Sequence, residues 1–192
     1  MPKKRSVKRH LVTQPSDPSY RLIPLTRNQN AIVDAADFEW LSRWNWYAVW
    51  SPGVHGFYAS RGARRGARRW TLGMHRVILG CKKREEEVDH WNHDTLDNRR
   101  QNLRKCTHSQ NSQNIRKSLK TISGYKGVTW SKTNQGWHAK IIFNGRTNNL
   151  GFFRSKEAAA FAYDLAAKKL FGEFAAPNFS TIGQCQRTIS LD

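Results

Sequence analysis

Lysine and arginine outnumber aspartate and glutamate by 33 to 14 across these 192 residues, and the resulting formal charge of +19 works against any compact fold left to itself. A polyanion relieves self-repulsion on that scale, so nucleic acid or an anionic membrane is the natural partner. The membrane is disfavoured. No apolar run approaches the roughly 18 residues of a spanning helix, and the opening MPKKRSVKRH carries charge with no apolar segment behind it. A soluble, cytoplasmic protein is the expectation. Cys81, Cys106 and Cys185 are isolated, odd in number and form no C-x-x-C pair. That argues against a disulfide framework or zinc knuckle and for reduced, structural thiols.

The length and apolar content suit one ordinary domain or two small ones. Residues 1–19 combine Lys3, Lys4, Arg5, Lys8 and Arg9 with Pro15 and Pro18, and so read as a solvated tail or a phosphate-tracking arm. From Tyr20 to about Leu79 the pattern is β-rich: YRLIPL, WYAVW, GFYAS and RWTLGMHRV have strand character, while AADFEWLSRW spaces Phe38, Leu41 and Trp44 as a short helix. Trp40, Trp44, Trp46 and Trp50 are expected in a core. RGARRGARR places Arg61, Arg64, Arg65, Arg68 and Arg69 on a Gly-punctuated hairpin loop, which reads as a phosphate-gripping loop rather than a merely solvated turn. Residues 118–123 form a linker. Residues 124–179 then predict three strands (YKGVTWS, GWHAKIIF, TNNLGFF) and a helix, SKEAAAFAYDLAAKKLF, with Ser155 as N-cap and Gly172 as its stop. The helix face bearing Ala158, Phe161, Ala162 and Leu165 is expected to lie across the sheet. Residues 180–192 carry little signal. The fold class expected is α+β: a β-rich part leading into a polar Asp-, His- and Asn-rich unit over 20–117, then a three-stranded antiparallel sheet packed on one helix.

Chemistry concentrates between Val88 and Asn114, in VDHWNHDTLDNRRQNLRKCTHSQNSQN. Phosphodiester hydrolysis needs a base for water, a Lewis acid for the phosphate and a scaffold that fixes both. Asp89 and His90 supply a hard oxygen ligand and a base side by side. Asn102 and Asn111 follow on the next strand and helix, and an oxygen-rich, cysteine-free set suits Mg²⁺ better than zinc. Arg99, Arg100 and Arg104 are candidate contacts to flanking phosphates, against plain surface charge. His93 and Asp94 shape the loop, and His75 in the Met74–Arg76 run reads as structural.

The order D-H, then N-L-R, then N-x-x-N resembles the HNH family, in particular its phage homing endonucleases. The resemblance implies two short strands and a helix clasping one divalent ion (Mg²⁺, with Mn²⁺ as substitute). By it, His90 is the general base, Asp89 and Asn111 are metal ligands, and Asn102 holds the loop so that the His90 ring is correctly oriented; Asn111 stands where histidine is commoner, and Asn114 assists at the metal edge. Residues 124–179 resemble the ethylene-response-factor (APETALA-type) DNA-binding domain through YKGV, GWHAKI, LGFF, EAAAFAYDLAAKKLFG and APNF. That family lays its sheet in the major groove, which implies DNA contacts by Lys126, Thr129, Lys140, Arg146, Thr147 and Asn149. Thr129, Ile142 and Thr147 replace arginines that read guanine in the plant proteins, so the plant target does not transfer. Trp130 and Trp137 pack against sugar or core.

Together these features predict a phage or mobile-element endonuclease acting on double-stranded DNA in a bacterial host cell. It would nick as a monomer, or cut both strands as a DNA-induced dimer. The rivals are a non-catalytic DNA-binding regulator and an RNA-binding protein.

Overall fold

The computed structural model of the protein describes residues 10–83, 85–114 and 122–179. The chain divides into two units, Met1–His108 and Ser109–Asp192. The basic cluster Lys3, Lys4, Arg5, Lys8 and Arg9, the greater part of the 118–123 linker, Cys185 and the 180–192 tail lie outside the described residues.

In the first unit, alternating apolar residues make β1 (Tyr20–Pro24) and β2 (Asn30–Asp34), an antiparallel pair in which Ala31 and Val33 are fully buried. Helix α1 (Ala35–Leu41) follows directly, as AADFEWL predicts. Strands β3 (Tyr47–Ser51), β4 (Gly56–Arg65) and β5 (Arg68–Gly73) form a second antiparallel sheet in that order, and α2 (Met74–Ile78) follows. Then come β6 (Glu87–His90), a polar loop, a 3-10 turn at Arg100–Asn102, β7 (Leu103–Cys106) antiparallel to β6, and α3 (His108–Gln113). Ile23, Leu25, Leu41, Trp46, Met74, Ile78, Val88 and Leu103 share one core.

Four expectations change here. β2 carries no strand expectation in the sequence. The RGARRGARR arginines sit on paired strands, with only Gly66 and Ala67 left for the turn. RWTLGMHRV is a strand only as far as Gly73 and then becomes α2. Trp46 is fully buried, its indole donating to the Leu41 carbonyl at 2.8 Å, and Trp40 and Trp44 pack against the core, but Trp50 remains 44% exposed.

In the second unit, β8 (Val128–Ser131), β9 (Gly136–Phe143) and β10 (Arg146–Phe153) form an antiparallel sheet with β9 central, followed by α4 (Lys156–Phe171). Ser155 caps α4, accepting from the Ala158 amide at 3.1 Å, and Gly172 ends it. The buried face of α4 is not the expected one. Ala159, Ala160, Tyr163, Asp164, Ala167 and Phe171 are buried, whereas Phe161 and Leu165 are 50% and 49% exposed. Small side chains let the helix approach the sheet closely, and that outweighs the bulkier stripe a quarter-turn away. Asp164, fully buried, accepts from the Asn178 amide at 2.7 Å, the Asn178 side chain at 3.0 Å and the Phe179 amide at 2.9 Å. It thereby fastens the APNF segment to the helix.

Candidate active site and nucleic-acid interface

Asp89 and His90 end β6 and are 6% and 4% exposed. Because side chains alternate along a strand, neighbouring positions send the carboxylate and the imidazole into different surroundings. Asp89 faces its cross-strand partner Arg104, which donates to Oδ2 from Nε at 2.8 Å, with Nη2 at 2.7 Å. His90 enters a pocket of rings: its centroid lies 5.2 Å from that of His75 and 5.9 Å from that of Tyr58.

The loop after β6 is pinned from within. Asn102 is 4% exposed; its Oδ1 accepts from the Asn92 amide at 2.9 Å and its Nδ2 donates to the Asp97 carbonyl at 2.7 Å. Its own carbonyl accepts from the Trp91 amide at 2.9 Å. Asn102 thus spans both ends of the loop. The loop is also docked onto the rest of the unit: Asn98 N donates to the Ile32 carbonyl at 2.7 Å and Thr95 Oγ1 to the Phe57 carbonyl at 2.6 Å. Burial alone would raise the Asp97 carboxyl, but hydrogen bonds from Arg99 outweigh it and the pKa is lowered. His90 has a lowered pKa because burial disfavours its charged form; the Asn98 side chain and the carboxylates of Asp89, Asp94 and Asp97 pull the other way. A neutral imidazole in a rigid frame can accept a proton from water.

The three arginines near this loop are all internally paired. Arg99 binds Asp97 through two nitrogens, Arg100 binds Asp37 in the same way, and Arg104 holds Asp89. The boundary between the units falls inside α3, so Asn111 and Asn114 lie beyond it, in the second unit. His75, which the sequence places on the strand or turn leading into the site and reads as structural, lies at the start of α2 beside His90. Its ring centroid is 5.2 Å from that of His90, and the signal for it in the sequence is the Met74–Arg76 run that precedes the signature.

Burial pushes the Cys106 thiol up to about 11, so it does not serve as a thiolate, and among the described residues no three His, Cys, Asp or Glu side chains cluster as a ready-made cage.

Two surfaces carry the remaining candidates. On the β4–β5 ribbon Arg64 stands opposite Arg69 and Arg65 opposite Arg68, all exposed. Arg61 differs: its guanidinium lies over the Trp44 ring at 4.5 Å and near Trp46 at 5.7 Å, so it is spent on packing. In the second unit, the register puts Thr129, His138, Lys140, Ile142, Thr147, Asn149 and Phe152 on the sheet face opposite α4. His138 stacks on Phe152 at 4.7 Å and meets Asn149 Oδ1 at 3.0 Å. Arg146 has the other parity, opposite Phe143. The Lys126 ammonium donates to the Gln113 carbonyl at 2.7 Å, and burial lowers its pKa to about 8, so it does not share that face. Trp137 joins the core with Trp130 against its edge.

Comparison with known proteins finds sequence likenesses over part of the chain. An HNH endonuclease family profile matches residues 80–113. An uncharacterized HNH endonuclease of Acanthamoeba polyphaga mimivirus is 40% identical over 102 residues, 53% of this chain and 52% of the relative, so the chain spans about half that relative's length. Protein 3.8 of Escherichia phage T7 is 32% identical over 91 residues, 46% of this chain and 72% of the relative. No solved structure matches. Among the described residues, no helix is long and apolar enough to cross a membrane.

Proposed function

We propose that this chain, whose residues 80–113 match the HNH endonuclease family profile, hydrolyses phosphodiester bonds of duplex DNA with His90 as general base. The carrying observation is His90 itself: buried, held below its usual pKa, and set beside Asp89 at the end of a loop locked by Asn102. Burial keeps the ring neutral at physiological pH, and the surrounding carboxylates favour the imidazolium once a proton arrives. Asn102 holds the loop, and with it the frame on which His90 sits.

HNH nucleases use a divalent metal. Asp89, with Asn111 as the second oxygen donor of the family pattern, is the ligand in this reading. A sparse set of oxygen donors suits Mg²⁺, which keeps waters and borrows substrate oxygens; Mn²⁺ is the natural substitute. Held by Asp89 and Asn111, such an ion would supply Lewis acidity toward the scissile phosphate and the leaving 3′-oxygen.

DNA is the substrate that the charge distribution supports. Like charges directly opposite across a strand pair destabilise it, so the Arg64–Arg69 and Arg65–Arg68 steps favour a polyanion laid along the ribbon. The second unit resembles the ethylene-response-factor domain in sequence, and its open face with Thr129, Lys140, Thr147 and Asn149 suits groove contact. Its role is to anchor. Two viral relatives favour a homing or mobile-element enzyme acting in the infected cell. One active site per chain favours nicking.

The test is cleavage of supercoiled plasmid carrying genomic target DNA, with Mg²⁺ or EDTA, by wild type and His90→Ala. Open-circular product that needs both the ion and His90 is the expected result. Tight duplex binding without cleavage under any divalent ion would instead make the chain a DNA-binding regulator.

A further inference from the structure

We propose that His75 and Tyr58 form a socket that fixes the ring of His90, and so act as positioning residues for the general base. This rests on the nuclease reading of His90. The two walls come from separate parts of the unit: Tyr58 from β4 and His75 from the first turn of α2.

The rings close on one another as a triangle. His75 meets His90 at 5.2 Å and 76°, Tyr58 meets His90 at 5.9 Å and 60°, and Tyr58 meets His75 at 5.5 Å and 58°. The His75–His90 contact sets an edge against a face, an arrangement aromatic rings prefer, and the two Tyr58 contacts are tilted. An imidazole walled on two sides in this way has few orientations open to it, and a base must present one chosen nitrogen to water.

The His75 wall is itself held. A Cβ added at Gly73 would fall 2.6 Å from His75 Cε1 and 3.0 Å from Nε2. Gly73 has an ordinary φ of −75°, so what matters there is room: the His75 ring lies directly on the Gly73 backbone. His75 Nδ1 is buried without a hydrogen-bond partner among the described residues, a cost that a residue serving only to fill space would avoid by being apolar. Its pKa is lowered to about 3, by burial first and then by His90 and Arg76, so it remains uncharged when His90 takes up a proton.

Two measurements test the socket. In the intact protein carrying ¹⁵N-labelled histidine, the ring nitrogens of His90 should report one tautomer in the wild type and a mixture in His75→Ala and Tyr58→Ala. In plasmid nicking assays below each variant's melting temperature, those two variants should lose on the order of 10- to 100-fold in kcat with KM nearly unchanged, and Tyr58→Phe, which keeps the ring, should recover the rate. A single His90 tautomer in His75→Ala, or kcat at the wild-type level in a folded variant, would overturn the socket and leave these rings as core packing. A wild-type protein that cleaves nothing would sink the nuclease reading, while the tautomer comparison would still decide the socket.

Discussion

Arg104 and Asp89 are cross-strand partners on β7 and β6, and the guanidinium reaches one carboxylate oxygen from two nitrogens, at 2.8 and 2.7 Å. The side chains are only 15% and 7% exposed, so neither charge has much water to turn to. Removing one member of such a pair strands the other. Arg104→Met should therefore cost about 3–5 kcal/mol in urea denaturation. If Asp89 holds the ion, added Mn²⁺ should restore part of that loss in the variant and stabilise it more than wild type, because the ion replaces the missing positive charge. Equal stabilisation of both proteins would place the ion away from Asp89.

His75 makes the fold acid-labile. Its folded pKa is about 3 against an ordinary 6.5, so between those values the unfolded chain binds a proton that the native ring refuses. The contribution is complete above pH 6.5 and is lost as pH falls towards 3. In that window stability should drop by up to about 1.4 kcal/mol per pH unit for this one group. His90, also shifted down, adds in the same direction. Denaturation series between pH 7 and 4 should show a shallower slope in His75→Ala, whatever its absolute stability. An unchanged slope would mean that His75 titrates normally in the folded protein.

The β4–β5 ribbon gives a prediction with two readouts of opposite sign. Arg64 and Arg69 face each other across the pair, so replacing both with alanine removes a like-charge contact and should leave the fold no less stable. Duplex affinity should nevertheless fall, and the salt dependence should flatten. Each lost phosphate contact takes about 0.9 from the slope of log K against log salt, so the double variant should lose about 2. An unaltered slope would remove the ribbon from the DNA interface. Arg61→Ala, by contrast, should act on stability through Trp44 and leave the slope alone.

What the sequence revealed and what it concealed divide along physical lines. Local chemistry was legible: D-H, N-L-R and the alternation of short strands are written in consecutive residues, and so were α1, the strands of the second unit and the Ser155 cap. Long-range pairing was not. Arg100 and Asp37 are 63 positions apart and nothing local marks them as partners, so an arginine expected at phosphate is found on a buried carboxylate. Likewise, α4 carries apolar residues on more than one face. Periodicity alone could not tell the Phe161–Leu165 stripe from the alanine face, because the choice depends on how closely the sheet approaches. The proximity of His75 to His90 is of the same kind, two residues brought together only by the packing of α2 against β6.

That close approach in the second unit supplies the sharpest substitution test. Gly127 has φ +75°, where an L side chain is strained, and a Cβ there would lie 2.1 Å from Tyr163 Cδ2 and 2.7 Å from the Lys140 carbonyl oxygen. Tyr163 is 4% exposed on the buried face of α4, and the Lys140 amide donates to the Gly127 carbonyl at 2.9 Å, so neither neighbour can yield without separating helix from sheet. Strain at the backbone and overpacking each cost about 1–3 kcal/mol, so Gly127→Ala should lose roughly 2–6 kcal/mol, a large share of a small domain's stability. Hydrogen exchange localises the damage: the Ala139 and Ile141 amides of β9 should lose protection in Gly127→Ala, while those of β1 and β2 keep theirs. Anchoring should fail with the fold, so the variant should bind duplex DNA more weakly even where His90 and its loop are untouched. Wild-type exchange rates in β9 would mean that the Tyr163 ring has somewhere else to go.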